Sequence, residues 1–196
     1  MNNAQHINQT SGNVEWYTPP AVIEAARRCM GSIDLDPASC EVANETVKAK
    51  RYFTVADNGL AQQWHGNVWL NHPFGKEEQP CQTPCKKETC KKRGHCISEY
   101  KPGNADWINK LVGEYHSMRT YRACCITFAC TSEAWFQPLF DFPQCYLSPR
   151  TNYLGPDGLP VSGVTKGSVV TYLGNDEIAF YQAFRGLGRV VRPVVG

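Results

Sequence analysis

Two kinds of hydrophobic pattern alternate along the chain. The first is helical. Val22, Ile23, Ala26 and Met30 recur at helical spacing behind Thr18-Pro19-Pro20 and stop at Gly31, which predicts a helix capped by Thr18 and opened by a proline. Trp107, Ile108, Leu111, Val112 and Tyr115 repeat the spacing within 105–118. Residues 41–50, 132–140 and 178–184 are expected to be helical as well. The second pattern is short and extended. Residues 32–37 alternate and end at Asp36-Pro37; residues 51–55, 68–70, 123–130, 144–148, 167–173 and 189–195 are runs of strand length. Gly155-Pro156-Asp157-Gly158 marks a turn between two of them.

Strands alternating with helices, several of them apolar on both faces, predict an α/β fold with a helix-covered, mostly parallel sheet. A late hairpin adds an antiparallel strand at one end. In such sheets ligands bind beyond the carboxyl ends of the strands. Asp36 and Asn71 both lie there, so one cleft can hold them both.

Residues 76–103 break the pattern. They are rich in Cys and Lys and carry almost no periodicity. The expected organisation is therefore a flexible arm over 1–13 and one domain over 14–196 that carries a Cys-rich insertion at 76–103. A length of 196 residues suits one domain with a core large enough to need no disulfides. A content of 42% hydrophobic and 19% charged residues is that of a globular protein in water. No run of 18 or more apolar residues is present, and the polar start of the chain has neither the charge nor the apolar stretch of a signal peptide. A cytoplasmic location with reduced thiols, and no membrane, is the expectation.

Ten cysteines then need another explanation. Cys81-x3-Cys85-x4-Cys90-x5-Cys96 places four thiols in a short polar loop, the pattern of a closed structural zinc site. His95 in place of Cys96, a redox loop and free thiols remain open. Lys86, Lys87, Lys91, Lys92 and Arg93 surround the thiols, favour their ionised forms and suit DNA phosphates; a merely solvated loop is the alternative. Cys29, Cys40, Cys124, Cys125, Cys130 and Cys145 are expected to act as small apolar residues.

The strongest chemical signal is Asn71-His72-Pro73-Phe74, reached through Val68-Trp69-Leu70. The Asn71 side-chain oxygen and the His72 carbonyl can both accept from one planar amino group, such as N6 of an adenine. Phe74 can stack on the attached ring, and Pro73 stiffens the turn without a competing N–H. Ordinary turn chemistry would use similar residues, so the other segments matter.

Together, Glu15-Trp16-Tyr17-Thr18-Pro19-Pro20, Ile33-Asp34-Leu35-Asp36-Pro37-Ala38-Ser39, Asp57-Asn58-Gly59-Leu60 and Trp69-Leu70-Asn71-His72-Pro73-Phe74 resemble the phage DNA N-6-adenine methyltransferase (phage Dam) family. Residues 131–136, 148–150 and 167–170 look like that family's closing strands. The resemblance spans about 15–190 without the Cys-rich stretch. It implies a Rossmann-like methyltransferase fold, S-adenosylmethionine as cofactor, double-stranded DNA as partner and a flipped-out adenine as acceptor. It also implies a phage or prophage origin, in the host cytoplasm. By position, Asn71, His72, Pro73 and Phe74 match the catalytic motif, and Asp36, Pro37, Ala38 and Ser39 the cofactor motif. Tyr17, Thr18 and Pro19 match the segment packed on the cofactor's methionine end. Asp57 or Asn58 would contact the cofactor's adenine. Three features depart from the wider enzyme class. Its usual motif is Asn-Pro-Pro-Tyr, where this chain has His72 and Phe74; no glycine-rich loop follows Asp36; and no acidic residue ends a second strand to hold the ribose. Asn-x-Pro-aromatic motifs also methylate RNA bases or protein glutamine. A catalytically silent, zinc-bearing DNA-binding module is the reading from a different class.

Overall fold

The structure, a computed structural model, describes residues 16–155, 157–161 and 164–194. The arm expected over 1–13 lies outside them. The elements in chain order are α1 (Pro20–Met30), β1 (Leu35–Asp36), α2 (Glu41–Val47), β2 (Arg51–Tyr52), β3 (Gly66–Leu70), α3 (Glu88–Arg93), α4 (Asn104–His116), β4 (Thr120–Phe128), β5 (Gln144–Leu147), β6 (Ser168–Leu173), α5 (Glu177–Phe184) and β7 (Gly188–Val191). Three 3₁₀ segments, Val55–Asp57, Gly59–Ala61 and Ala134–Asp141, join them. The last takes the place of the helix expected over 132–140 and contains Pro138, which cannot donate to an α-helical ladder.

One seven-stranded sheet runs in the order β2-β1-β3-β4-β6-β5-β7. Its apolar strands are apolar on both faces because helices cover both. Trp69, Cys124, Ile126, Phe128, Val170 and Tyr172 point to one face with α1 and α5. Their neighbours Val68, Leu70, Ala123, Cys125, Val169 and Leu173 point to the other, with α4 and Ala134–Asp141. Each large side chain buried in these layers contributes about 1.5–3 kcal/mol.

The mostly parallel sheet is found in part. Pairings β1–β2, β1–β3 and β3–β4 are parallel, whereas β4–β6, β5–β6 and β5–β7 are antiparallel. The expected late antiparallel pair, β5–β6, is present at one end of the sheet, but that end holds two reversed strands: β6 folds back between β4 and β5, and β7 forms the edge. All six residues of β6 are therefore buried, as befits a strand paired on both sides.

The Thr18 cap is corrected. The helix starts at Pro20, its N-cap is Pro19, and no side chain caps it. Thr18 lies one residue too early, so its buried hydroxyl is left without a partner. Among the described residues no helix is long and apolar enough to cross a membrane.

Candidate active site

The chain leaves β1 through α2 to β2 on one side, then crosses back to β3 on the other side of β1. The β1/β3 boundary is thus a topological switch point, where α/β sheets open a crevice at the carboxyl ends of their strands. Leu35 pairs with Val68 in parallel register. Asp36, closing β1, and Asn71, following β3, therefore flank the same crevice.

Asp36 is 2% exposed. Burial pushes its carboxyl up to about 7, although the Ala38 N–H donates to Oδ1 at 3.2 Å and the nearby Ser39 hydroxyl favours the charged form. No cation faces it among the described residues. Asp36 does not cap α2, whose N-cap is Cys40. The turn at Gly59 packs tightly here: a Cβ at Gly59 would overlap the Pro37 carbonyl oxygen. Asp57 and Asn58 lead into that turn and are exposed. The Asp57 carboxylate accepts from the Thr54 N–H at 2.8 Å and hydroxyl at 2.7 Å, so one of its oxygens is already engaged in a local cap.

Across the crevice, Tyr17 pairs its backbone with Leu154, N–H to O at 2.9 and 2.8 Å. Its hydroxyl meets Cys40 Sγ at 3.3 Å. The segment Trp16–Pro19 thus straps the loop at 154 to the start of α2 and the start of α1. Among the described residues, the buried oxygens Thr18 Oγ1 and Ser39 Oγ and the buried His72 Nδ1 have no hydrogen-bond partner. Unpaired buried polar atoms are rare in folded proteins, and Thr18 and Ser39 belong to segments that Tyr17 and Cys40 bring together.

In the turn after β3, Asn71 Nδ2 donates to the Trp16 carbonyl at 2.7 Å. That bond fixes which way the amide faces, with Nδ2 toward Trp16 and Oδ1 on the other side. His72 turns its ring inward. It is 2% exposed, its Nε2 bonds Asn104 Oδ1 at 3.1 Å, and burial lowers its pKa to about 4. The ring stacks near Trp107 at 6.3 Å, so His72 is neutral at physiological pH and cannot serve as a ready base; what it offers the crevice is its carbonyl. Pro73 is exposed. Phe74, half-buried, lies 4.6 Å from Phe128 and 6.2 Å from Tyr153, ring centre to ring centre. One part of that ring therefore packs on the core while the rest faces out. Lys166 Nζ sits 5.6 Å from the Phe128 ring, at the edge of this aromatic group.

The Cys-rich stretch leaves and rejoins the body at a narrow neck. Glu78 and Lys101 exchange two backbone hydrogen bonds of 2.9 Å, and a Cβ on Gly103 would overlap the Glu77 backbone nitrogen. Beyond the neck, Cys81, Cys85, Cys90 and Cys96 bring their sulfurs within 4.8 Å of one another, close enough to bind one metal ion. Cys90 lies on α3, a short helix the sequence pattern did not reveal. The thiols share protons: Cys81 falls to about 7 through its bond with Cys90, which rises to about 12. The basic residues are partly spent within the lobe. Arg93 is paired with Glu78, Lys91 with Glu88, and Lys87 donates to the Gln79 carbonyl. Lys86 and Lys92 stay exposed.

Trp16, Asn104, Phe128 and Tyr153 contribute to this geometry, yet no local pattern marks them. Asn71 and Trp16 are 55 positions apart, and His72 and Asn104 are 32.

The crevice between the parallel strands β1 and β3 thus has a buried acid at one strand end and an Asn-His-Pro-Phe turn after the next. Residues 6–142 match the profile of the DNA N-6-adenine-methyltransferase (Dam) family. The chain belongs to that family, whose members are transferases acting on adenine in DNA. The match includes the Cys-rich insertion and stops before β5, so 148–150 and 167–170, expected as closing family segments, lie beyond it. No curated protein and no solved structure gives a significant match.

Proposed function

We propose that this chain is an S-adenosylmethionine-dependent DNA adenine-N6 methyltransferase with a Rossmann-like fold. One observation supports the reading beyond family membership: Asn71 Nδ2 donates to the Trp16 carbonyl at 2.7 Å, and in this reading Oδ1 is the amide atom that meets the acceptor. S-adenosylmethionine, when bound, supplies a sulfonium-activated methyl group as the electrophile. Asp36 answers its positive charge, and Thr18, Pro37, Ala38 and Ser39 hold its polar end, with Tyr17 and Pro19 packing over it and Asp57 or Asn58 reaching its adenine. The lone pair of adenine N6 is delocalised into the ring. Asn71 Oδ1 and the His72 carbonyl each accept one of its hydrogens, which draws the nitrogen toward tetrahedral geometry and frees the lone pair. Pro73 keeps the turn rigid. The outward part of Phe74 stacks on the base, which must leave the duplex to be reached; stacking offsets that cost by about 1–3 kcal/mol.

The reading is tested by binding first. S-adenosylmethionine titrated into the protein by calorimetry binds one equivalent, and duplex DNA binds with a salt dependence that reports phosphate contacts. DNA binding without cofactor binding would support a silent module instead.

The four cysteines hold structural zinc in this reading. A tetrahedral site with Zn–S of about 2.3 Å has sulfur–sulfur edges of about 3.8 Å; the four sulfurs lie within 4.8 Å of one another, with Cys81 and Cys90 at 3.3 Å, so small side-chain shifts would seat the ion. Zinc lets all four thiols ionise and takes no part in the transfer. Native mass spectrometry is expected to find one zinc per chain. Its removal by chelator, or Cys90→Ala, should unfold the lobe and weaken DNA binding, while the cooperative melting of the body persists because the neck at Glu78–Lys101 isolates it. Loss of the whole fold on chelation would contradict that separation.

A further inference from the structure

Asn104 opens α4, directly after the neck of the Cys-rich lobe, and is 6% exposed. Its Oδ1 accepts two hydrogen bonds, from the Gly75 N–H and the His72 ring, both at 3.1 Å. Its own backbone N–H donates to the Gly75 carbonyl at 2.7 Å. A backbone N–H can only donate, so the atom facing Gly75 is the amide oxygen, and His72 must then carry its hydrogen on Nε2. The two accepted bonds bracket Pro73-Phe74, one on the residue before and one on the residue after. Pro73 has no N–H of its own to anchor the turn. One amide oxygen therefore holds both ends of the 72–75 turn that follows β3.

The surroundings of Asn104 are equally constrained. The His72 ring is wedged between Trp107, at 6.3 Å and 30°, and Phe74, at 5.4 Å and 87°. Gly103 lies against the backbone at Glu77, and its N–H donates to the Asp106 carboxylate at 2.8 Å. The His72 ring packs edge-on against Phe74, so its placement by Asn104 bears on the position of the Phe74 ring and on the backbone of the turn.

We propose that Asn104 is a positioning residue for methyl transfer, setting the His72 carbonyl and the Phe74 ring by holding the turn at both ends. The inference rests on reading Asn71–Phe74 as the transfer turn. Asn104 touches neither cofactor nor base. It acts through His72 and Gly75, so its loss should lower turnover without loosening the cofactor.

The test compares wild type, Asn104→Leu and Asn104→Asp. Leu keeps the branching at Cγ, adds some volume and removes the acceptor; Asp keeps an oxygen for both donors. Asn104→Leu is expected to lower kcat for DNA methylation about 30- to 100-fold, the scale of an ångström-level misplacement, with the Kd for S-adenosylmethionine within about twofold of wild type. Asn104→Asp should recover kcat to within about fivefold. In parallel, ¹⁵N-histidine spectra of the five-histidine chain should show a neutral Nε2–H ring for His72 in wild type and lose that fixed tautomer in Asn104→Leu. Wild-type kcat in Asn104→Leu, equal losses in Leu and Asp, or a matching loss of cofactor affinity would overturn the proposal while leaving the transfer reading intact. A wild-type protein that binds cofactor and DNA yet transfers no methyl group would overturn both.

Discussion

Asn71→Ala is expected to lose methyl transfer by about 10²- to 10³-fold or more, the scale seen when one preorganised polar contact to a reacting centre is removed. Cofactor affinity should stay within about twofold, because in the proposed reading the side chain meets the acceptor rather than the cofactor. Asn71→Asp makes a sharper comparison. It keeps an acceptor oxygen but replaces the N–H that the Trp16 carbonyl accepts with a second oxygen. Two acceptors then face each other, so the side chain turns away or the strap lifts, and turnover should fall between wild type and Ala. Single-turnover transfer and calorimetric binding on the same preparations separate the two effects.

The second large effect falls on Asp36. Its carboxyl titrates near 7 in the fold, raised from 3.8 by burial. The folded protein therefore holds this proton more tightly than the unfolded chain, and the group's contribution to stability falls as pH rises from about 4 through 7. Above that window the cofactor-free protein carries a buried, unpaired charge. Asp36→Asn removes the charge and keeps an oxygen for the Ala38 N–H. The variant should melt about 3–6 °C higher than wild type without cofactor at about pH 8. Its affinity for S-adenosylmethionine should drop about 10- to 100-fold, because a charge-assisted contact is lost. For wild type, cofactor affinity should rise between about pH 5.5 and 7.5 as Asp36 ionises, and for Asp36→Asn it should stay flat. A variant that is less stable and binds cofactor normally would remove Asp36 from the site. A gain in stability that comes with a loss of binding is the usual mark of a functional group held under strain.

How legible this was in the sequence differs from residue to residue. β4 and β6 announce themselves as continuous apolar runs because helices cover both their faces. Their directions do not: an apolar run reads the same whether its neighbour is parallel or antiparallel, so the fold-back of β6 between β4 and β5 was hidden. Thr18 was misread because a threonine before Pro-Pro mimics a cap, and only the backbone decides that Pro19 holds that place. Cys81, Cys85, Cys90 and Cys96 were legible as a set because thiols that meet in space are also close in sequence here. The strap from Trp16 to Asn71 and the clamp from Asn104 to His72 were not. Both join residues far apart in the chain, through single polar atoms that leave no periodic trace. Asp36 was legible as a position at a strand end, but its proton affinity comes from burial that only the packed sheet supplies.

The most direct measurement is transfer of tritiated methyl from S-adenosylmethionine to unmethylated genomic DNA, followed by digestion and separation of the nucleosides. Label in N6-methyladenine, lost in Asn71→Ala, is the predicted result. Cofactor bound but no label in DNA, with label instead in RNA or in a protein glutamine, would contradict the assignment of adenine in DNA as the acceptor.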